Sequence, residues 1–138
     1  MDEIRHLSLA DVLALHTAVM ERFGLAPAPL RDEGLLESVV MRPRMAAYHD
    51  EADLIRQAAL LAVGISQAQA FLDGSKRTAL AACDVFLRLN GIVFAGDSLE
   101  LARQLEGVAM RSVNLEEFTS RFERWLRDEI ASKEDSQE

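Results

Sequence analysis

Apolar and polar residues repeat with the period of an α-helix along nearly the whole chain. Ser8 precedes Leu9 and has Asp11 three residues on, the spacing of a capping box. From there Val12, Leu15, Val19 and Phe23 fall on one face, and Gly24 is placed to close the helix. The next stretch, LAPAPL, carries two of the three prolines and reads as an extended connector. Asp32 is the next N-cap candidate, followed by an apolar set at Leu35, Leu36, Val39 and Val40, and Pro43 is expected to limit that helix.

Residues 51–69 predict a long helix with a stripe of Leu54, Ala58, Leu61, Ala62 and Ile65, widened by Ala59 and Val63. A helix apolar over so much of its surface belongs at the centre of a bundle. Its alanines and Gly64 are small enough to admit a close neighbour. Residues 75–90 form the next helix, with Ala79, Cys83, Val85, Phe86 and Leu89 inward and Asn90-Gly91 as the stop. Ile92, Val93 and Phe94 suggest a short extended piece. Asp97 with Glu100, and Asn114 with Glu117, start two final helices, the last with a core face of Leu115, Phe118, Phe122, Trp125 and Leu126. The prediction is an all-α, compact single-domain bundle of about six helices over residues 1–131, followed by a polar tail, residues 132–138. The two central helices, joined by the short FLDG loop, should pack as an antiparallel or angled hairpin.

Composition narrows the function classes. A length of 138 residues with 49% apolar content is one domain with a real core. A net charge of −8 argues against wrapping DNA or RNA, whose binding rests on neutralising phosphates, but not against one nucleotide in one basic pocket. A single cysteine, Cys83, excludes an internal disulfide and suits a reducing cytoplasm. The N-terminus MDEIRHLSL is not a signal peptide, and the most apolar stretch, residues 58–65, is too short to span a bilayer.

The chemistry concentrates in QAQAFLDGSKR, residues 67–77, between the two central helices. A helix N-terminus presents four free N–H groups and the positive end of the helix dipole. Gly74 can adopt positive φ, so Gly74, Ser75 and Lys76 suit an anion nest. Lys76 adds a point charge and Arg77 a planar fork for phosphate oxygens. Asp73 is placed to hold Mg²⁺ beside a phosphate, and Phe71 to anchor the loop in the core. Yet D-G-S is also ordinary turn and N-cap vocabulary, and Lys76-Arg77 can be a solvated pair. On these residues alone the plainer reading is favoured.

The longer stretch AFLDGSKRTALAACDVFLRLNGIVF resembles the Fic/Doc family, in its death-on-curing branch. The signature of that branch runs His-x-Phe-x-Asp-Gly-Asn-Lys-Arg, then Thr-Ala and a helix ending in Leu-Asn-Gly. LSLADVLALHTAVMERFGL and RDEGLLESVVMRPRMA are similar to the branch's first two helices in order and spacing, so the likeness covers residues 7–125. The resemblance implies a small helical toxin of a type II toxin–antitoxin module, with a loop that binds a nucleoside triphosphate and Mg²⁺. In the family a histidine deprotonates a hydroxyl on a target protein, which attacks phosphorus. Fic relatives transfer a nucleotidyl group and the Doc branch a terminal phosphoryl group to a translation factor, while an antitoxin blocks the groove. Carried onto this chain, the resemblance makes Phe71 the motif phenylalanine, Asp73 the metal-associated acid, Gly74 the loop glycine, and Lys76 and Arg77 the phosphate pair.

Two positions depart: Gln69 stands for the histidine and Ser75 for the asparagine. Ser75 still donates, accepts and is suited to cap the helix. An amide takes no proton at physiological pH, and a positioned base is worth about 10²–10⁴ in rate. Gln69 is left at most to orient a hydroxyl or a water. Among the three histidines, His6 is expected at the surface and His16 in a structural hydrogen bond. His49, in the connector AAYHDEAD, is the one histidine to test as a surrogate base, although a solvated loop histidine is the far commoner case and the favoured reading. Glu106-Gly107 matches the end of the family's (S/T)xxxE(G/N) inhibitory element, but Ala102 lacks the required hydroxyl. The leading expectation is a Doc-like toxin with its nucleotide loop retained and transfer weakened or lost. The alternatives are an active kinase- or AMPylase-type transferase with a non-standard base, and a non-enzymatic partner-binding module.

Overall fold

The computed structural model describes residues 3–106 and 114–136. Six helices follow in order: α1 (Leu9–Arg22), α2 (Glu33–Asp50), α3 (Leu54–Ala68), α4 (Ser75–Leu89), α5 (Ser98–Glu106) and α6 (Leu115–Ser136). The fold is all-α, as the periodicity predicts. No described helix is long and apolar enough to cross a membrane.

Helix α3 is the hub. It packs most extensively on α4 and α2, then on α6, and its Ala58, Ala59, Leu61, Ala62, Val63 and Ile65 are all buried. Small residues set how close α2 comes. A Cβ built on Gly64 would lie 2.6 Å from Val39 Cγ1, so the two helices meet where α3 has no side chain. Phe86 of α4, Leu105 of α5, and Phe122 and Leu126 of α6 complete the core. Burial pushes the Cys83 thiol up to about 12, so this residue is a small core hydrophobe rather than a nucleophile.

Most helix starts follow the predicted spacing. Ser8 and Asp11 form the capping box of α1. Asp32 caps α2 through its side chain as expected, whereas α3 starts at Leu54, later than the expected residue 51, with Asp53 as its side-chain cap. Asp97 and Asn114 each accept a first-turn N–H of α5 and α6. Gly91 has φ 87 directly after the α4 cap Asn90, as the Asn-Gly stop requires.

Three expectations need correction. Pro43 does not limit α2, which runs on to Asp50. Pro43 is buried in register with Leu36, Val39 and Val40, so packing of that face outweighs the backbone hydrogen bond lost at proline. Phe23 is not a core residue: it lies at the α1 C-cap and is 58% exposed. The buried face of α1 is instead Val12, His16 and Met20. Residues 92–94 form no strand. The chain's one described bridge pairs Leu30 with Phe71. That bridge stitches the proline-rich connector to the loop before α4, with Arg31 N–H donating to Ala70 O and Leu72 N–H to Pro29 O at 3.1 Å.

Candidate nucleotide-binding site

The α3–α4 loop opens into a pocket of about 460 Å³, a volume typical of small-molecule sites. Gln69, Phe71, Asp73, Gly74, Ser75, Lys76 and Arg77 all border it, so the folded chain gathers every residue that the motif singled out. Arg31 from the connector, Ser66 from α3, and Ala102, Leu105 and Glu106 from α5 complete the wall.

Helix α4 begins differently from the others. Its N-cap is Gly74, at φ 82, and no side chain caps its first turn. Ser75 does not cap: it is already the first helical residue, and its hydroxyl donates to Phe71 O at 3.4 Å. Glycine is required at position 74 twice over. The backbone is left-handed, and a Cβ would lie 2.6 Å from Met20 Sδ and 3.1 Å from His16 Cε1. The first-turn N–H groups of α4 thus keep their hydrogen-bonding capacity, with the helix dipole behind them.

A buried relay fixes this backbone from below. His16 is stacked on Phe71 with ring centroids 3.8 Å apart and planes within 9°. The Ala28 N–H donates to His16 Nε2 at 3.0 Å, so in the neutral ring the proton sits on Nδ1. Nδ1 donates to Thr78 Oγ1 at 2.9 Å, and Thr78 Oγ1 donates to Gly74 O at 2.9 Å. Burial holds the His16 pKa below its ordinary value, with the nearby Asp73 carboxylate acting the other way. His16 therefore serves the loop as an orienting group, in line with its expected structural hydrogen bond. The helical pattern alone had concealed it, since a histidine on a core face gives no sign of what it holds.

The charged residues are arranged unequally. Lys76 Nζ lies 3.8 Å from a Glu106 carboxylate oxygen across the pocket, with both side chains largely exposed. Such a pair is weak and open to exchange with a ligand anion. The Arg77 guanidinium lies 4.6 Å from the centroid of the Phe23 ring, which explains why that phenylalanine stays at the surface. Among the described residues no cluster of three or more histidine, cysteine or acidic side chains forms a metal cage. A lone Asp73 fits Mg²⁺ that arrives with phosphate oxygens, since magnesium is commonly held by one or two carboxylates plus substrate.

Gln69 ends α3 as its C-cap at φ 48, with an exposed side chain at the pocket edge. None of the three histidines replaces it among the described pocket residues. His6 pairs with Gln57 Oε1 at 2.7 Å and is only partly exposed. His49 is not in a connector: it belongs to the last turn of α2 and borders a separate groove with Met41 and Met45. The surrogate-base expectation for His49 therefore has no geometric support. Gly107, half of the Glu106-Gly107 match, lies outside the described residues.

Comparison with known proteins identifies the family of the chain. The sequence model described as "Fic/DOC family" matches residues 6–87, which include α1 through most of α4 and the whole loop. "Protein kinase doc" of Escherichia phage P1 is 36% identical over 114 residues, covering 81% of this chain and 88% of the relative. "Toxin Doc" of Mycolicibacterium smegmatis is 39% identical over 94 residues, covering 67% of this chain and 69% of the relative. With the family model over more than half its length and two such relatives, this chain belongs to the Fic/DOC family.

Proposed function

We propose that this protein is the Doc-like toxin component of a type II toxin–antitoxin module, binding a nucleoside triphosphate with Mg²⁺ but poor at conventional group transfer. The name of one relative, a toxin, supports the toxin reading, and the other relative is named a protein kinase. The observation that carries the binding half is the start of α4. Of the six described helices, it alone lacks a side-chain partner for its first turn, and it opens into a 460 Å³ pocket.

In this reading the terminal phosphates lie on the N–H groups of Ser75, Lys76 and Arg77, approached closely because Gly74 has no side chain. Lys76 leaves Glu106 to neutralise phosphate charge. Asp73 holds Mg²⁺, which supplies charge neutralisation across the phosphates when bound. Arg77, steadied by Phe23, sits at the mouth as a second cation. Gln69 occupies the place of the base and is able to orient a target hydroxyl but not to remove its proton. The missing base costs about 10²–10⁴ in rate. The partners that fit are a small cytoplasmic antitoxin, with a segment that enters the groove, and a translation-factor target.

The test is titration of the wild-type protein with ATP and Mg²⁺ by calorimetry and thermal shift. Saturable binding that raises Tm, and that is weakened about tenfold in Lys76→Ala and lost in Asp73→Ala, is the expected result. No binding of ATP or GTP would overturn the nucleotide reading and favour a scaffold that serves only a partner protein.

A further inference from the structure

Ser66 lies in the last turn of α3, is 3% exposed, and borders the pocket. Its Oγ has no hydrogen-bond partner among the described residues. Two other buried helical hydroxyls behave differently. Thr78 donates to Gly74 O at 2.9 Å, and Thr119 donates to Leu115 O at 2.8 Å, each bonding back four residues. Ser66 forgoes that ordinary bond. A buried hydroxyl left unpaired costs about 1–3 kcal/mol, so a persistent orphan calls for a partner that arrives later.

The surroundings define that partner. Ser66 and Gln69 are three residues apart, so they share the α3 side of the pocket. Lys76, Arg77, Arg31 and the uncapped first turn of α4 border the same pocket as donors, with Asp73 and Glu106 the two carboxylates beside them. A ligand held by such a set is rich in acceptors, and the only thing a serine needs to add is one more O–H. We propose that Ser66 is a ligand-binding residue, its hydroxyl donating to a phosphate oxygen from the α3 side while the α4 nest holds the same phosphate chain from the other. This deepens the nucleotide reading and rests on it. No position of the Phe71–Arg77 motif supplies this contact, and it is independent of the residue at 69.

The experiment is calorimetry of wild type, Ser66→Ala and Ser66→Cys with two probes, Mg·ATP and magnesium pyrophosphate, alongside the Tm of each free protein. Both variants should weaken both probes by about 10–100-fold, the worth of one hydrogen bond to a charged acceptor. Their free Tm should be unchanged or higher, because an unpaired polar group has been removed. A lower Tm in Ser66→Ala would mean that the hydroxyl is already paired in the free protein and would overturn the proposal. So would dissociation constants within twofold of wild type. Loss for ATP with pyrophosphate unaffected would reject a phosphate contact. If wild type binds neither probe, the nucleotide reading itself fails; if it binds both and the variants match it, only Ser66 is misassigned.

Discussion

Two helix starts in this molecule face opposite fates. At the N-terminus of α3, Asp53 caps Arg56 N–H at 2.9 Å, and the Arg127 guanidinium of α6 closes over the carboxylate with contacts of 2.7 and 3.0 Å. The cap carboxylate there is engaged on both oxygens within the chain. At the N-terminus of α4, Gly74 offers no cap, and the nearest cation, Lys76, is held only by a loose 3.8 Å pair. The first start spends its electrostatics on stability. The second keeps them for an anion, and its shape is maintained instead by the buried His16–Thr78–Gly74 relay beneath it. Stability and binding should therefore separate cleanly between the two.

The strongest way to break this contrast is to close the open start. Gly74→Val forces a side chain into left-handed backbone and against Met20 and His16. It should cost about 2–4 kcal/mol and abolish Mg·ATP binding, read by denaturant unfolding and calorimetry. His16→Leu, which leaves the Ala28 N–H unpaired and removes the donor to Thr78 Oγ1, should cost about 2–3 kcal/mol. His16→Gln, able to both donate and accept, should recover part of it.

The next pair sharpens the contrast by opposite signatures. Asp53→Ala should lower stability by about 1 kcal/mol and leave nucleotide affinity alone. Lys76→Ala should weaken Mg·ATP roughly tenfold and change stability by less than about 0.5 kcal/mol. If both variants move both quantities, the two starts are not functionally distinct.

The smallest effect is one of pH. The Arg127 hydrogen bonds hold the Asp53 carboxyl below its ordinary value of 3.8. A depressed folded-state pKa contributes stability above the unfolded value and loses it as pH falls through the folded one, so this tie should fade below pH 4. The side chains are about half exposed, so salt should blunt the effect. Asp53→Asn keeps a cap but should flatten that part of the acid limb in pH-dependent unfolding.

How far the sequence reached follows the same division. Starts made by side chains were mostly legible, because Ser8, Asp32, Asp97 and Asn114 announce themselves by type and spacing, whereas the Asp53 cap was missed. The central stripe of α3 was legible because six buried apolar positions leave no other place for it. Pro43 misled because its local penalty is written in the sequence, whereas the packing that offsets it is not. Ser75 misled because it is a favoured cap, but the glycine before it takes the N-cap position with backbone alone. Arg31 was invisible as a site residue, since only the bridge between Leu30 and Phe71 brings it to the pocket. The loop motif itself could be read, and so could its flaw at Gln69. What could not be read was which groups the expected His16 hydrogen bonds would tie together and that no histidine lines the described pocket wall.

The central claim is that binding survives while the base is missing. The direct measurement is protein labelling in a cell lysate by wild type and Gln69→His, with ATP carrying its label on either the γ- or the α-phosphate. Restoring an imidazole should raise the labelling rate by about 10²–10⁴, with nucleotide affinity unchanged because Gln69 lies at the pocket edge. Label from the γ position would identify phosphoryl transfer, and label from the α position nucleotidyl transfer. Wild type that labels its target as fast as Gln69→His would contradict the account, since the reaction would then need no base at position 69.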